Sequence, residues 1–124
     1  MRFFLLALLL SSAHATQALV NTIASKMGLA VPTLIAGDWA VSASCAGFRV
    51  FSNAGVVTHM QVSNCNVNTF PGEICSLSYL SFLLFNGNAV TSLPECIGNL
   101  LAMTYMFCAR LFRSVSLFQA HRQQ

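Results

Sequence analysis

The sequence predicts an α/β solenoid, and three observations carry that expectation. Two stretches superimpose at one constant shift, so that Val57, Met60, Val62, Cys65 and Val67 fall on Leu80, Leu83, Phe85, Asn88 and Val90. Within each copy apolar residues alternate over a few positions, which is the period of a short strand. Each copy then continues through a proline-led return: Phe70-Pro71 falls on Leu93-Pro94, Ile74 on Ile97, Leu77 on Leu100 and Leu80 on Met103. Self-similarity at a period of about 20–29 residues means stacked units, none of which can cover its own apolar face alone.

Each slot has a physical reason. Met60 and Val62, or Leu83 and Phe85, point to the core, and the residues between them point to the other face. Asn88 stands where the chain leaves the strand. Its amide can pair backbone groups of that turn which would otherwise be buried alone. Cys65 fills the same slot in the first unit as a small, weakly donating group. The returns bring Ile74 and Leu77, or Ile97 and Leu100, back to the core behind Pro71 or Pro94. The pattern L-x-x-L-x-L-x-x-(N/C)-x-L is that of a leucine-rich repeat. The expected architecture is therefore a short leucine-rich-repeat horseshoe fragment with a helical N-terminal cap.

A third unit begins and then fails. Met103, Met106 and Cys108 fit its strand slots, but Leu111 and Arg113 stand where an asparagine and an apolar residue belong. Residues 109–124 read as an irregular tail without the polar terminal cap that a solenoid requires. Either the chain is a truncated or mis-assembled product of a longer repeat protein, or it is a genuine short protein with an apolar tail.

The segment 1–15 reads as a secretory signal peptide. Arg2 supplies the positive start, Phe3 to Leu10 are all apolar, and Ala13-His14-Ala15 is a small-x-small cleavage site. The apolar run is far shorter than the roughly 20 residues of a membrane span. Cleavage after Ala15 and a secreted, extracellular protein are expected. Only 7% of the 124 residues are charged, against roughly 25% in ordinary domains. The mature chain should thus expose apolar area where a further unit ought to stack. The net charge of +3 is scattered, with no basic stripe, which argues against nucleic acid as a partner. Leu100 to Phe118 is apolar, yet Arg110 and Arg113 interrupt it. Each would cost about 2.5–3.5 kcal/mol near the centre of an inserted helix. Membrane attachment is expected only if the chain belongs to a longer receptor.

Five cysteines follow the leader: Cys45, Cys65, Cys75, Cys96 and Cys108. A secreted chain favours disulfides, and the odd count leaves at least one thiol unpaired. Cys65 and Cys108 occupy core-facing slots and are expected as buried thiols. Cys45, Cys75 and Cys96 are the candidates for pairing, in a combination that the sequence leaves open. No C-x-x-C or zinc-type spacing occurs, so no metal and no cofactor is expected.

Ahead of the repeats, Leu19, Ile23, Met27 and Leu29 approach helical spacing, bounded by Gly28 and Pro32. Trp39 is expected as a core plug over the open edge of the first unit. The organisation is then signal peptide 1–15, N-terminal cap 16–56, repeats 57–108 (two complete, a third begun) and tail 109–124. A helix, then Asp38-Trp39, then Cys45-Ala46-Gly47-Phe48-Arg49-Val50, then Val56-Val57-Thr58-His59-Met60-Gln61-Val62 resembles the plant-type N-terminal cap of extracellular leucine-rich-repeat proteins. Leu93-Pro94-Glu95-Cys96-Ile97-Gly98-Asn99-Leu100 is similar to that family's LP-x-x-IGNL unit. The resemblance covers about residues 17–108. It implies an extracellular recognition module of the receptor-like or polygalacturonase-inhibitor-like kind. The chain departs from it at Val50 or Phe51, where the family's box carries a second cysteine.

Catalysis is not expected. The acids are Asp38, Glu73 and Glu95, and His59 and His121 remain once His14 leaves with the leader. Neither a G-x-S-x-G elbow nor a glycine-rich phosphate loop is present. The expected function is secreted, non-catalytic recognition of a protein or peptide ligand on the concave face of the repeats. That face holds His59, Gln61, Ser63, Phe82, Leu84, Asn86, Tyr105 and Phe107, a mixture of aromatic and amide groups suited to such surfaces. The chain would then be the N-terminal fragment of a receptor-like protein. The alternatives are an inhibitor of a secreted hydrolase acting through the same face, and a non-functional truncated remnant.

Overall fold

A computed structural model describes the backbone of residues 2–108 and the side chains of residues 15–108. The tail expected over 109–124 lies outside the described residues. Helix α1 (Arg2–Met27) is followed by strands β1 (Asp38–Val41), β2 (Phe48–Asn53), β3 (Val56–Val62), β4 (Phe82–Leu84) and β5 (Tyr105–Phe107). Two short 3-10 helices form the returns, Gly72–Ser76 before β4 and Glu95–Asn99 before β5. The strands make one sheet in the order β1-β2-β3-β4-β5. The first three are antiparallel, while β3, β4 and β5 run parallel.

This corrects the expected architecture. The described residues form a small mixed five-stranded sheet with one α-helix, not an α/β solenoid or a leucine-rich-repeat horseshoe. The reason lies in residues 38–53, read from the sequence as part of a cap without strands. Phe48, Val50 and Ser52 are buried while Arg49 and Phe51 between them are half-buried, so the segment alternates as a strand must. Ala54 (φ 53°) and Gly55 (φ 79°) close a two-residue turn between the paired Asn53 and Val56. Two successive positive φ values make a type I′ turn, whose twist suits a hairpin. The parallel part then consists of two strand pairs, each registered over three residues. The constant shift of the repeat persists there as register: His59, Phe82 and Tyr105 align across the strands, as do Met60, Leu83 and Met106.

A bulge sets the inward positions of β3. Phe51 pairs with His59 but Ser52 pairs with Val57, which leaves Thr58 as an extra residue. Val57 and Met60 therefore both point inward, while Thr58 and His59 are half-buried. The core lies on this inner side, where Phe48, Val50, Met60, Val62 and Leu83 meet Ile74, Leu77, Ile97 and Leu100 from the returns. Helix α1 adds the stripe Val20, Ile23, Ala24 and Met27, one face of a helix. It ends in a Schellman motif: Gly28 (φ 72°) donates to the Ser25 carbonyl at 3.1 Å, and Leu29 to that of Ala24 at 3.0 Å. An ion pair between Lys26 and Glu73 ties it to the first return. Among the described residues no helix is long and apolar enough to cross a membrane.

Two disulfides join neighbouring layers, Cys45–Cys65 and Cys75–Cys96. Cys65 is thus not the buried thiol its slot suggested. The Ser63 amide donates to the Gly47 carbonyl at 3.0 Å, bringing the loop before β2 against the exit of β3. Gly47 makes that approach feasible, because a Cβ there would collide with the Ser63 carbonyl. Cys108 is the free cysteine among the described residues, and it is buried.

Candidate functional site on the outer sheet face

The side of the sheet away from the core carries one ring from every strand. In register these are Trp39 of β1, Phe51 of β2, His59 of β3, Phe82 of β4 and Tyr105 of β5. Successive ring centroids lie 5.6, 5.7, 5.7 and 4.8 Å apart. Such spacing follows from the inter-strand distance of about 4.8 Å, since side chains at paired positions stand side by side. Trp39 and Phe51 meet edge to face, whereas Phe82 and Tyr105 stack within 9° of parallel. His59 touches Phe51, Phe82 and Trp39, and its Nδ1 is 2.8 Å from the Thr58 hydroxyl.

A second row runs two residues along the strands: Val41, Arg49, Gln61, Leu84 and Phe107. The Arg49 guanidinium carbon lies 5.6 Å from the centre of the Trp39 ring, a cation–π contact. Beyond this row the Ser63 hydroxyl donates to Asn86 Oδ1 at 2.6 Å.

The eight residues assigned to the binding face all occur on this side. His59, Gln61, Ser63, Phe82, Leu84 and Asn86 are half-buried, and Tyr105 and Phe107 are exposed. They belong to the outer face of a mixed sheet rather than to the concavity of a horseshoe. Sequence reasoning missed Trp39, Val41, Arg49 and Phe51, which extend the face across β1 and β2. Trp39 is not a core plug; it is half-buried and packs sideways against Phe51 and His59. The available signal was the short alternation Phe48-Arg49-Val50; Phe51 on the outer face and Ser52 in the core break it in hydropathy while the burial goes on alternating.

Elsewhere the described surface offers less. An open groove of about 320 Å³ lies between residues 68–70 and 90–94, equivalent loops of the two units, and no charged side chain lines it. The Lys26 ammonium, through its hydrogen bond, holds the Glu73 carboxyl below the usual carboxylate range. Among the described residues no three His, Cys, Asp or Glu side chains gather to hold a metal ion. No family model, no curated protein and no solved structure matches the chain.

Proposed function

We propose that this is a secreted, non-catalytic recognition module that binds a protein or peptide ligand across the outer face of its sheet. The observation that carries the reading is the unbroken row of five rings, one per strand, on the side turned away from the core. The core is filled from the other side, so these side chains are not spent on closing it. Half-exposed aromatic groups in one contiguous patch are what protein interfaces use as anchors. Phe82 and Tyr105 turn their faces to one another. This presents ring edges outward and suits inserted side chains better than the flat stacking of a sugar ring. Secretion is supported by the leader-like segment 1–15 and by two disulfides, which persist in oxidising compartments.

The test is a selection of random peptides on the immobilised, oxidised full chain. Wild type enriches binders, and those binders shift the fluorescence of Trp39, the single tryptophan of the chain. Phe82→Ala weakens them by about tenfold or more, as truncating an interface anchor does, with the melting curve retained. No enrichment, or an oligosaccharide panel that moves Trp39 where peptides do not, would replace this reading.

A further inference from the structure

Resting on that reading, the geometry points to the chemistry of the ligand: an extended peptide with a carboxylate two residues from an apolar side chain. Arg49 carries the only formal charge in the two rows, standing between Val41 of β1 and Gln61 of β3. The acids lie elsewhere. Glu73 is engaged by Lys26 in the first return, and Glu95 is in the second. Asp38, nearest in sequence, is in register with the buried Ser52 rather than with either row, and its Oδ1 accepts from the Trp39 amide at 2.7 Å.

The Arg49 side chain donates to no described residue, and its Nε is buried without an acceptor. Stacking on Trp39 restrains the guanidinium, so less freedom is lost when a ligand pairs with it. A half-buried guanidinium with unused donors is matched best by a planar carboxylate, which can accept two of them together. One guanidinium flanked by a valine and an amide presents a single charge to neutralise.

The spacing follows from strand geometry. The two rows are separated by two residues along each strand, about 7 Å. Residues i and i+2 of an extended peptide lie on one side at the same separation. A peptide running along β2 and β3 therefore sets an aromatic or aliphatic side chain among Trp39, Phe51 and His59. Its Asp or Glu two positions away meets Arg49.

The experiment uses the selected peptides, resynthesised with blocked ends and titrated against the full oxidised chain by Trp39 fluorescence. Asp or Glu is expected two residues from an apolar position. Changing it to the amide should weaken binding about tenfold or more, the scale of a charge-assisted hydrogen bond. Arg49→Gln should abolish that difference between acid and amide while leaving the apolar preference, and Arg49→Lys should restore it in part. Enriched peptides without acidic residues, or an acid-to-amide effect unchanged in Arg49→Gln, would sink the inference and leave the recognition reading standing. Binding that depends on a free peptide C-terminus moves the carboxylate and overturns the two-residue spacing. An absence of any enriched peptide removes the recognition reading and this inference with it. Should Arg49→Gln fail to fold, the acid-to-amide comparison on wild type still decides.

Discussion

Cys65 and Asn88 occupy the same slot of successive units, at the exit of β3 and just beyond β4, and they hold their turns by different chemistry. Asn88 is buried, and its Oδ1 accepts from the amides of Cys65 at 3.0 Å and Val67 at 3.2 Å. Its Nδ2 donates to the carbonyls of Val62 at 2.8 Å and Asn86 at 3.1 Å. Two of these four partners belong to the preceding turn and a third, Val62, to the end of β3. Cys65 instead makes a disulfide to Cys45, in the loop before β2. The neighbour explains the difference. Asn88 looks back on a parallel strand and its turn, which leave unpaired amides and a carbonyl within reach. Cys65 looks back on an antiparallel hairpin, which offers no such turn. The slot demands a tie to the layer before it, and that layer decides which tie can be made.

The largest expected effect breaks the hydrogen-bonded side of this comparison. Asn88→Ala leaves the Cys65 and Val67 amides and the Val62 carbonyl without their side-chain partner. The expected cost is about 3–5 kcal/mol, since each buried group so stranded costs on the order of 1–3 kcal/mol. Urea denaturation of wild type and variant measures it. A loss below about 1 kcal/mol would mean that water replaces the amide and that the turn is not closed.

Next in size is the covalent side. Cys45→Ser with Cys65→Ser opens a link across 20 residues, at a cost of about 3 kcal/mol by loop-closure entropy. The sharper variant is Cys45→Ser with Cys65→Asn, which places the second unit's residue in the first unit's slot. It should regain almost nothing, because no parallel turn lies before β3 to receive the amide. Recovery of more than half the loss would show that the hairpin offers the same backbone partners, and the two slots would then be equivalent.

The same contrast separates what is legible in the sequence from what is not. The repeat fixes which residues face inward in each unit, so Met60, Leu83, Asn88 and the eight outer-face positions can be placed by slot. It is silent on what pairs with the open edge of β3. The hairpin that fills this edge turns on Ala54-Gly55, not on the Asn-Gly or Asp-Gly pair that announces a type I′ turn. Without that hairpin Trp39 passes for core, Arg49 and Phe51 go unnoticed, and Cys65 has no visible partner. An architecture inferred by stacking like units therefore fails where the chain stacks an unlike one.

Cys108, just beyond β5, fills the inward slot of Val62 and Phe85 rather than that of Cys65 and Asn88, and burial pushes its thiol up to about 11. Because its folded value is raised, the associated stability is present below the ordinary thiol range of about 8.5. It is lost as pH rises through that range toward the folded value. The native thiol should resist iodoacetamide at neutral pH and react promptly in urea, with mass spectrometry reading the adduct. Prompt labelling of the folded protein would place Cys108 at the surface.

The smallest effect concerns strain, and again the two halves differ. Asn64 (φ 55°) and Asn66 (φ 57°), in the turn that leads away from β3, adopt left-handed conformations that asparagine tolerates. Ala54 adopts one at φ 53° in the hairpin turn with no such aid. A non-glycine residue there costs roughly 1–2 kcal/mol, less for asparagine, whose short polar side chain can bond locally. Ala54→Asn should therefore stabilise the chain by about 0.5–1 kcal/mol, and Asn64→Ala should destabilise it by a similar amount. Thermal melts of both variants give the signs. Opposite signs mean that the hairpin half carries the unrelieved strain, whereas a destabilised Ala54→Asn would show the alanine methyl to be packed rather than merely tolerated.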